Sequence, residues 1–458
     1  WHQEIEDILV LKNNKGTEDN RVRKLDYSIQ LNRTMYERLL QGGNITLFSP
    51  HDVPGLYEAY YGDPDKFQEL YEKYERATSI KKKTIPAMEL ISDLIKERAE
   101  TGRIYIMNVD HANTHSSFKD TVYMSNLCQE ITLPTKPLQH IDDPEGEIAL
   151  CILSAINVGV IKELDDLEEL CDLAVRALEE IIDYQRYPIL AAEKSTKARR
   201  SLGVGYIGLA HFLAKQKVQY SDPQAWKVVH DLTEAFQYYL LKASNTLAKE
   251  RGACEYFDRT KYSDGILPID TYKKDVDTIV ANELNYDWES LRADIKEHGL
   301  RHSTLSAQMP SESSSVVSNA TNGIEPPRGY LSVKKSKKGP LKQIVPQYQT
   351  LKNHYTLLWD MPSNEGYINV VAVMQKFFDQ AISGNWSYNP THYPDNEVPM
   401  SVMIKDLLTT YKMGWKTSYY QNTYDYKTDP SEIEDEKPQV ELAPSEVDES
   451  GECEACAI

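Results

Sequence analysis

Six cysteines in 458 residues are too few to staple a chain of this length. A secreted, disulfide-built framework is therefore excluded, and the expectation is thiol chemistry in a reducing compartment, the cytoplasm by default. Basic residues are also short: 51 Lys and Arg stand against 70 Asp and Glu, a formal charge of −19, which repels polyanions. Neither nucleic acid nor an anionic membrane surface is an expected partner, and the lysine-rich stretches 81–83 and 334–338 read as solvated turns. No apolar run reaches the ~18 residues of a membrane helix; the nearest, residues 148–161, is interrupted by Ser154 and Asn157. There is no internal repeat, and the start has neither a basic n-region nor an amphipathic leader pattern.

What remains is an ordinary globular composition, 41% hydrophobic and 26% charged, enough for a large core and, by length, two or three domains. Helical period is expected over residues 26–40 and 85–98, then over 163–184 and 223–249. Short apolar stretches at 104–109, 127–133, 148–153, 303–309 and 416–421 read as strands. Strands interleaved with long helices predict an α/β body with largely parallel pairing, barrel-like in form. Its domains are taken as 1–120, helical with the end of a first half-barrel, and 121–424, carrying the site. Residues 425–458 differ: they hold 12 acidic and 2 basic residues and no aromatic after Tyr426. Such a segment buries too little surface to offset its ordering entropy, which predicts a disordered acidic tail, tipped by Cys453 and Cys456.

The chemistry-bearing patterns differ in specificity. Gly203, Gly205 and Gly208 match Gly-x-Gly-x-x-Gly, but the preceding residues 193–201 are polar and basic, so the strand that a dinucleotide fingerprint needs is not expected there and close packing is the reading. His111 and His115 have i, i+4 spacing in a stretch rich in Asn, Thr and Ser, read as a loop, where that spacing carries no metal site. More specific is Ser125-Asn126-Leu127-Cys128-Gln129-Glu130. In an extended strand Asn126, Cys128 and Glu130 share one face, setting amide, thiol and carboxylate side by side; a core cysteine flanked by surface polar residues is the other reading. Cys151 falls in the following strand, and as a residue type alone reads as a small apolar filler; Cys171 and Cys254 read as structural. Pro310, Ser311, Glu312, Ser313 and Ser314 follow a strand, either as a phosphate-binding turn at a helix start or as a helix cap. Tyr419 and Tyr420 are adjacent; in an ideal strand their rings point apart, so stacking them requires a local distortion.

Taken together these residues resemble the large catalytic (alpha) subunit of class Ia ribonucleotide reductase, of the bacterial and phage ribonucleoside-diphosphate reductase type. The resemblance covers nearly the whole chain, through Leu47-Phe48-Ser49-Pro50-His51-Asp52-Val53-Pro54-Gly55-Leu56, residues 125–130, residues 265–274, and residues 310–330 with Asn319-Ala320-Thr321-Asn322-Gly323-Ile324-Glu325-Pro326-Pro327-Arg328-Gly329-Tyr330. It implies part of a ten-stranded α/β barrel, a finger loop plus the C-terminal half-barrel. By this resemblance Cys128 becomes a thiyl radical that abstracts the ribose 3'-hydrogen, Glu130 takes the 3'-hydroxyl proton, and Asn126 hydrogen-bonds the sugar. Cys151 is one of two cysteines oxidised with the substrate. Residues 310–314 hold the diphosphate, Tyr419 and Tyr420 carry the radical, and Cys453 and Cys456 form the tail dithiol. The implied partners are the diiron-tyrosyl small (beta) subunit, which supplies the radical, and thioredoxin or glutaredoxin; this chain itself holds no metal or cofactor.

Two departures stand out. The tail cysteines are closer together than is common in the family. At the front, the activity-regulating cone, the first part of the barrel, the loops that sense ATP and dNTP effectors and the second redox cysteine are missing by this resemblance, and the first residue is Trp1. The expectation is an excerpt, or the C-terminal product of a split gene that turns over only with a complementary N-terminal chain. The alternative is an incomplete fragment that serves as a subunit-docking protein.

Overall fold

The computed structural model describes residues 1–425, apart from residues 14, 18, 20, 337 and 338. The disordered-tail expectation and the dithiol Cys453 and Cys456 lie outside the described residues. The framework uses seven helices in chain order: α1 (Ala87–Thr101), α2 (Val109–Thr114), α3 (Asp166–Tyr184), α4 (Leu209–Gln216), α5 (Pro223–Arg251), α6 (Glu312–Val317) and α7 (Glu365–Phe377). The longest, α5, starts on Pro223 and stops at Gly252, whose φ of 86° suits a residue without a Cβ. The strands around the site are β1 (Tyr27–Leu31), β2 (Ile104–Asn108), β3 (Ile152–Asn157), β4 (Leu202–Ile207), β5 (Trp386–Tyr388), β6 (Thr417–Ser418) and β7 (Gln421–Thr423); two further antiparallel pairs, Asn44–Phe48 with Lys82–Pro86 and Leu331–Ser336 with Gly339–Ile344, put Lys82, Lys83, Lys334 and Lys335 in strands and not in the turns expected. Every residue of β2 and β4 is buried, which is what an unbroken apolar run in a parallel sheet covered on both faces requires.

Hydrogen bonds order these strands into one arc. β3 pairs in parallel with β4; β4 lies beside residues 304–307, through Val204 N to Leu305 O at 2.8 Å and Ala307 N to Val204 O at 3.1 Å. That segment joins residues 380–383, through Gln308 N to Ala381 O at 3.1 Å and Ser383 N to Gln308 O at 2.9 Å. Next comes the β6 segment, through Tyr419 N to Gly384 O at 2.8 Å and Trp386 N to Tyr420 O at 2.9 Å. Beyond it β6 pairs antiparallel with β2, and β2 in parallel with β1. Among the described residues the arc is open: no strand pairs with the outer edges of β1 and β3. The α/β architecture is as expected; the pairs β1–β2, β3–β4 and β5–β7 are parallel, while β6–β2 and the two pairs outside the arc are antiparallel, and the described residues form no closed barrel.

Several local expectations are corrected. Residues 26–40 split into β1 and a helix Arg33–Leu40 that starts on the Asn32 cap. Residues 127–133 form no strand but a turn and an extended loop, and the strand placed at 148–153 begins at Ile152. As expected no strand precedes the glycine motif, since residues 190–199 are helical; Gly203 and Gly205 lie inside β4 itself, and Gly208 caps α4. The glycines of β4 make room: a Cβ on Gly205 would come within 2.5 Å of the Ala307 carbonyl oxygen. His111 and His115 are on or beside helix α2, not in a surface loop, and both are buried against main-chain carbonyls, Trp415 O at 3.0 Å and Gln375 O at 2.6 Å.

Candidate active site

Residues 126–131 form a tight loop enclosed by the arc. Asn126 N donates to Ile131 O and Ile131 N donates to the Asn126 side-chain oxygen, both at 3.0 Å. The reversal passes through Gln129, whose φ of 70° is left-handed. Two neighbouring segments, residues 380–383 and β6, hold the loop. Ala381 N donates to Glu130 O at 2.9 Å, Ser383 Oγ to Cys128 O at 2.5 Å, and Thr417 Oγ1 to Gln129 O at 2.8 Å. The grouping of amide, thiol and carboxylate therefore comes from a turn, not from the alternation of a strand.

Cys128 and Glu130 are buried. Burial pushes the Glu130 carboxyl above its usual range, against hydrogen bonds from Asn126 and Ser383 that favour the ionised form; the Ser383 Oγ lies 3.4 Å from Oε2. Cys151 precedes β3, and its thiol is pushed well above the ordinary value, first by burial and then by the negative charges of Glu130 and Asp379. Cys151 thus shares an electrostatic environment with Glu130. Gly203 makes this possible, since a Cβ there would sit 3.1 Å from Cys151 Sγ. Cys171 packs with its thiol toward Phe236 O in the helical layer.

On the other side of Cys128 the Tyr419 hydroxyl donates to its Sγ at 3.6 Å. Tyr419 and Tyr420 fall between β6 and β7, where the strand is interrupted. Their ring centroids are 4.0 Å apart with the planes tilted by 46°, so the rings meet at the interruption of the strand without stacking flat. Tyr105 of β2 packs on both rings, at 4.7 and 5.8 Å, and Tyr105, Cys128 and Tyr419 form a buried cluster of their own. The serine turn starts α6, but Ser311 does not cap it; its hydroxyl donates to Met309 O at 3.1 Å. The structure thus brings Asn126, Cys128, Glu130, Tyr419 and Tyr420 together, and places Cys151 in the electrostatic reach of Glu130. Tyr105, Ser383, Thr417 and Arg98 escaped the sequence reading, because their roles come from contacts across hundreds of residues. Among the described residues two acidic and histidine groups cluster, His230 with Asp231 and Glu234, and Asp294 with Glu297 and His298; Glu234 accepts from the Trp288 indole at 3.0 Å, Asp231 from Lys227 at 2.6 Å and Asp294 from Lys249 at 2.8 Å.

A family model described as "Ribonucleotide reductase, barrel domain" matches residues 1–421. The chain belongs to the ribonucleotide reductase barrel-domain family. Within that family it is similar to the alpha subunit of ribonucleoside-diphosphate reductase from Haemophilus influenzae, 62% identical over 94% of this chain and 58% of the relative. The Escherichia coli subunit 1 alpha is 58% identical over 100% of this chain and 60% of its own length. The subunit alpha of Enterobacteria phage T4 is 46% identical over 95% of this chain and 58% of its own. The chain spans about three-fifths of the length of these reductase relatives. Among the described residues no helix is long and apolar enough to cross a membrane.

Proposed function

We propose that the chain is the catalytic portion of a ribonucleoside-diphosphate reductase, acting by a thiyl-radical mechanism in the cytoplasm. The observation that carries this reading is the contact series Tyr420, Tyr419, Cys128: two rings 4.0 Å apart, then a phenol oxygen 3.6 Å from a buried sulfur. A phenoxyl radical at Tyr419 takes one hydrogen atom from Cys128; the S–H bond breaks, an O–H bond forms, and the radical passes to sulfur. The radical comes from the small subunit, and burial protects it from water and other side reactions. The thiyl then abstracts the ribose 3'-hydrogen, while ionised Glu130, with Asn126 and Ser383 beside it, accepts the 3'-hydroxyl proton. Replacement of the 2'-hydroxyl by hydrogen then consumes two electrons and two protons: Cys151 and a second thiol supply them and end as a disulfide, the 2'-oxygen leaves as water, a C2'–H bond forms, and Cys128 returns the hydrogen atom to C3' and becomes a thiyl again while Glu130 gives back its proton. The hydroxyls and amides of residues 310–314, at the start of α6, hold the diphosphate. Cys453 and Cys456 reduce the buried disulfide by thiol exchange and are themselves reduced by thioredoxin or glutaredoxin.

The ten-stranded barrel, and turnover dependent on a complementary N-terminal chain carrying the effector sites and the second redox cysteine, belong to this proposal. The unpaired outer edges of β1 and β3 support them. The test is Cys128→Ser in the chain assembled with that complement and the small subunit. Nucleotide reduction falls to background while thiol exchange with thioredoxin stays intact; reduction retained by Cys128→Ser removes the radical assignment and leaves a docking role.

A further inference from the structure

Tyr419 and Tyr420 lie between β6 and β7, and their main-chain groups are partnered from two sides. The amides are served on one side: Tyr419 N donates to Gly384 O at 2.8 Å, and Tyr420 N to the side-chain oxygen of Asn385 at 3.0 Å. Asn385 is fixed in turn by donating to Glu325 Oε1 at 2.7 Å. The Tyr420 carbonyl accepts from Trp386 N at 2.9 Å, and from the other side one residue reaches both carbonyls. Arg98, in the last turn of α1, donates Nη1 to Tyr419 O at 2.7 Å and Nη2 to Tyr420 O at 3.2 Å, and also bonds Ile104 O. Its guanidinium stacks over the Trp386 ring at 4.8 Å.

Arg98 is 0% exposed, and among the described residues no carboxylate forms an ion pair with it. A buried guanidinium normally has an anionic partner, because its desolvation is otherwise poorly offset. Here it is committed to three carbonyls and a ring. Burial draws its pKa down to about 10, which leaves it charged at neutral pH. A helix position that only needed filling would be met by an apolar residue; a planar fork with separate donors is what two adjacent carbonyls call for.

We propose that Arg98 is a positioning residue of the radical path, whose two-point grip on the carbonyls of Tyr419 and Tyr420 sets the overlap of their rings and the approach of the Tyr419 oxygen to Cys128. This rests on the reading of those three residues as the radical path. The step it serves is the hydrogen-atom transfer described above, in which the phenoxyl is reduced to phenol as the thiol is oxidised to thiyl. Arg98 touches neither reacting atom. A misplacement of about 1 Å in such a step costs about 10²-fold in rate.

The experiment uses the assembled enzyme, this chain with its N-terminal complement and the radical-bearing small subunit, in wild-type, Arg98→Met, Arg98→Lys and Cys128→Ser forms. Three quantities are measured: kcat and KM for a ribonucleoside diphosphate, the dissociation constant of the small subunit, and the decay of its tyrosyl EPR signal when a 2'-substituted substrate analogue consumes the radical. Arg98→Met is expected to lower kcat about 10²-fold, with KM and subunit affinity within about twofold and the tyrosyl signal persisting. Arg98→Lys, which serves one carbonyl at a time, falls between. Unchanged kcat and signal decay in Arg98→Met overturn the proposal. So does a loss of kcat that matches the loss of substrate-binding sites, since that is the mark of a merely structural residue. Should Arg98→Met not fold, Arg98→Gln, which keeps an amide donor, is measured in its place; if that also fails to fold, the role is structural and the proposal is overturned. Retained turnover in Cys128→Ser, or none in the wild type, defeats the reading of the site itself, whereas an inert Cys128→Ser beside a normal Arg98→Met removes only Arg98.

Discussion

Glu130 carries two opposed influences within one side chain. Burial favours the neutral acid, and the hydrogen bonds from Asn126 and Ser383 favour the carboxylate, with burial the larger. A proton acceptor must be ionised, so its activity is present above its pKa and lost as pH falls through it. Because that pKa is raised, the acid limb of kcat/KM for the assembled enzyme is expected above the ordinary carboxylate range. Ser383→Ala removes one donor to the charged form and moves the limb further toward neutrality; Glu130→Gln removes the limb and lowers turnover by about 10²-fold or more, the usual worth of a positioned base. A pH profile of the three proteins checks this, and a limb that stays put in Ser383→Ala assigns the base elsewhere. The identities of Asn126, Cys128 and Glu130 were legible in the sequence because three costly polar groups stood close together. Their arrangement was not. Alternation along a strand predicted one shared face, while the chain makes a turn at Gln129 whose left-handed φ no hydrophobic pattern signals.

At the scale of elements, the long periodic segments were legible: α3 and α5 occupy the stretches where helical period was expected, and β2 its apolar run. The failures fall where a segment changes character within a few residues, as at residues 26–40, where β1 gives way to a helix at the Asn32 cap. The glycine motif behaves in a related way: no strand precedes it, as expected, but the motif itself forms β4, with glycine required by close neighbours in adjoining strand segments. This has a measurable consequence. At Gly203 an added Cβ would approach Leu153 Cδ2 to 2.6 Å and both Ala307 Cβ and Cys151 Sγ to 3.1 Å. Gly203→Ala is therefore expected to lower stability by about 1–3 kcal/mol through overpacking, read as a drop in denaturant midpoint at unchanged slope. It also displaces Cys151, so turnover of the assembled enzyme falls more than the loss of folded protein explains. A normal midpoint would show that β3 yields easily.

For the molecule as a whole, the arc from β3 round to β1 gathers parts from across the chain: residues 126–131, 151, 380–385 and 417–420 meet only because the strands between them curve. No local pattern encodes that meeting, which is why Arg98, Tyr105 and Ser383 were invisible in the sequence while the residues they hold were not. The arc's two outer strand edges carry main-chain donors and acceptors without strand partners among the described residues, and exposed edges of this kind invite further pairing. Cys128 is already buried, and under the proposed mechanism the same completion shields the substrate space beside it, since a thiyl radical survives only where water and external thiols are excluded. A chain supplying the remaining strands is thus expected to do two things at once. Mixing in the N-terminal portion of an alpha subunit should slow amide hydrogen exchange along β1 and β3, and should raise diphosphate reduction from background to a measurable rate when the small subunit is present. Protection without turnover points to a docking protein; turnover by this chain alone, with β1 and β3 exchanging freely, shows that the open arc is already a sufficient enclosure.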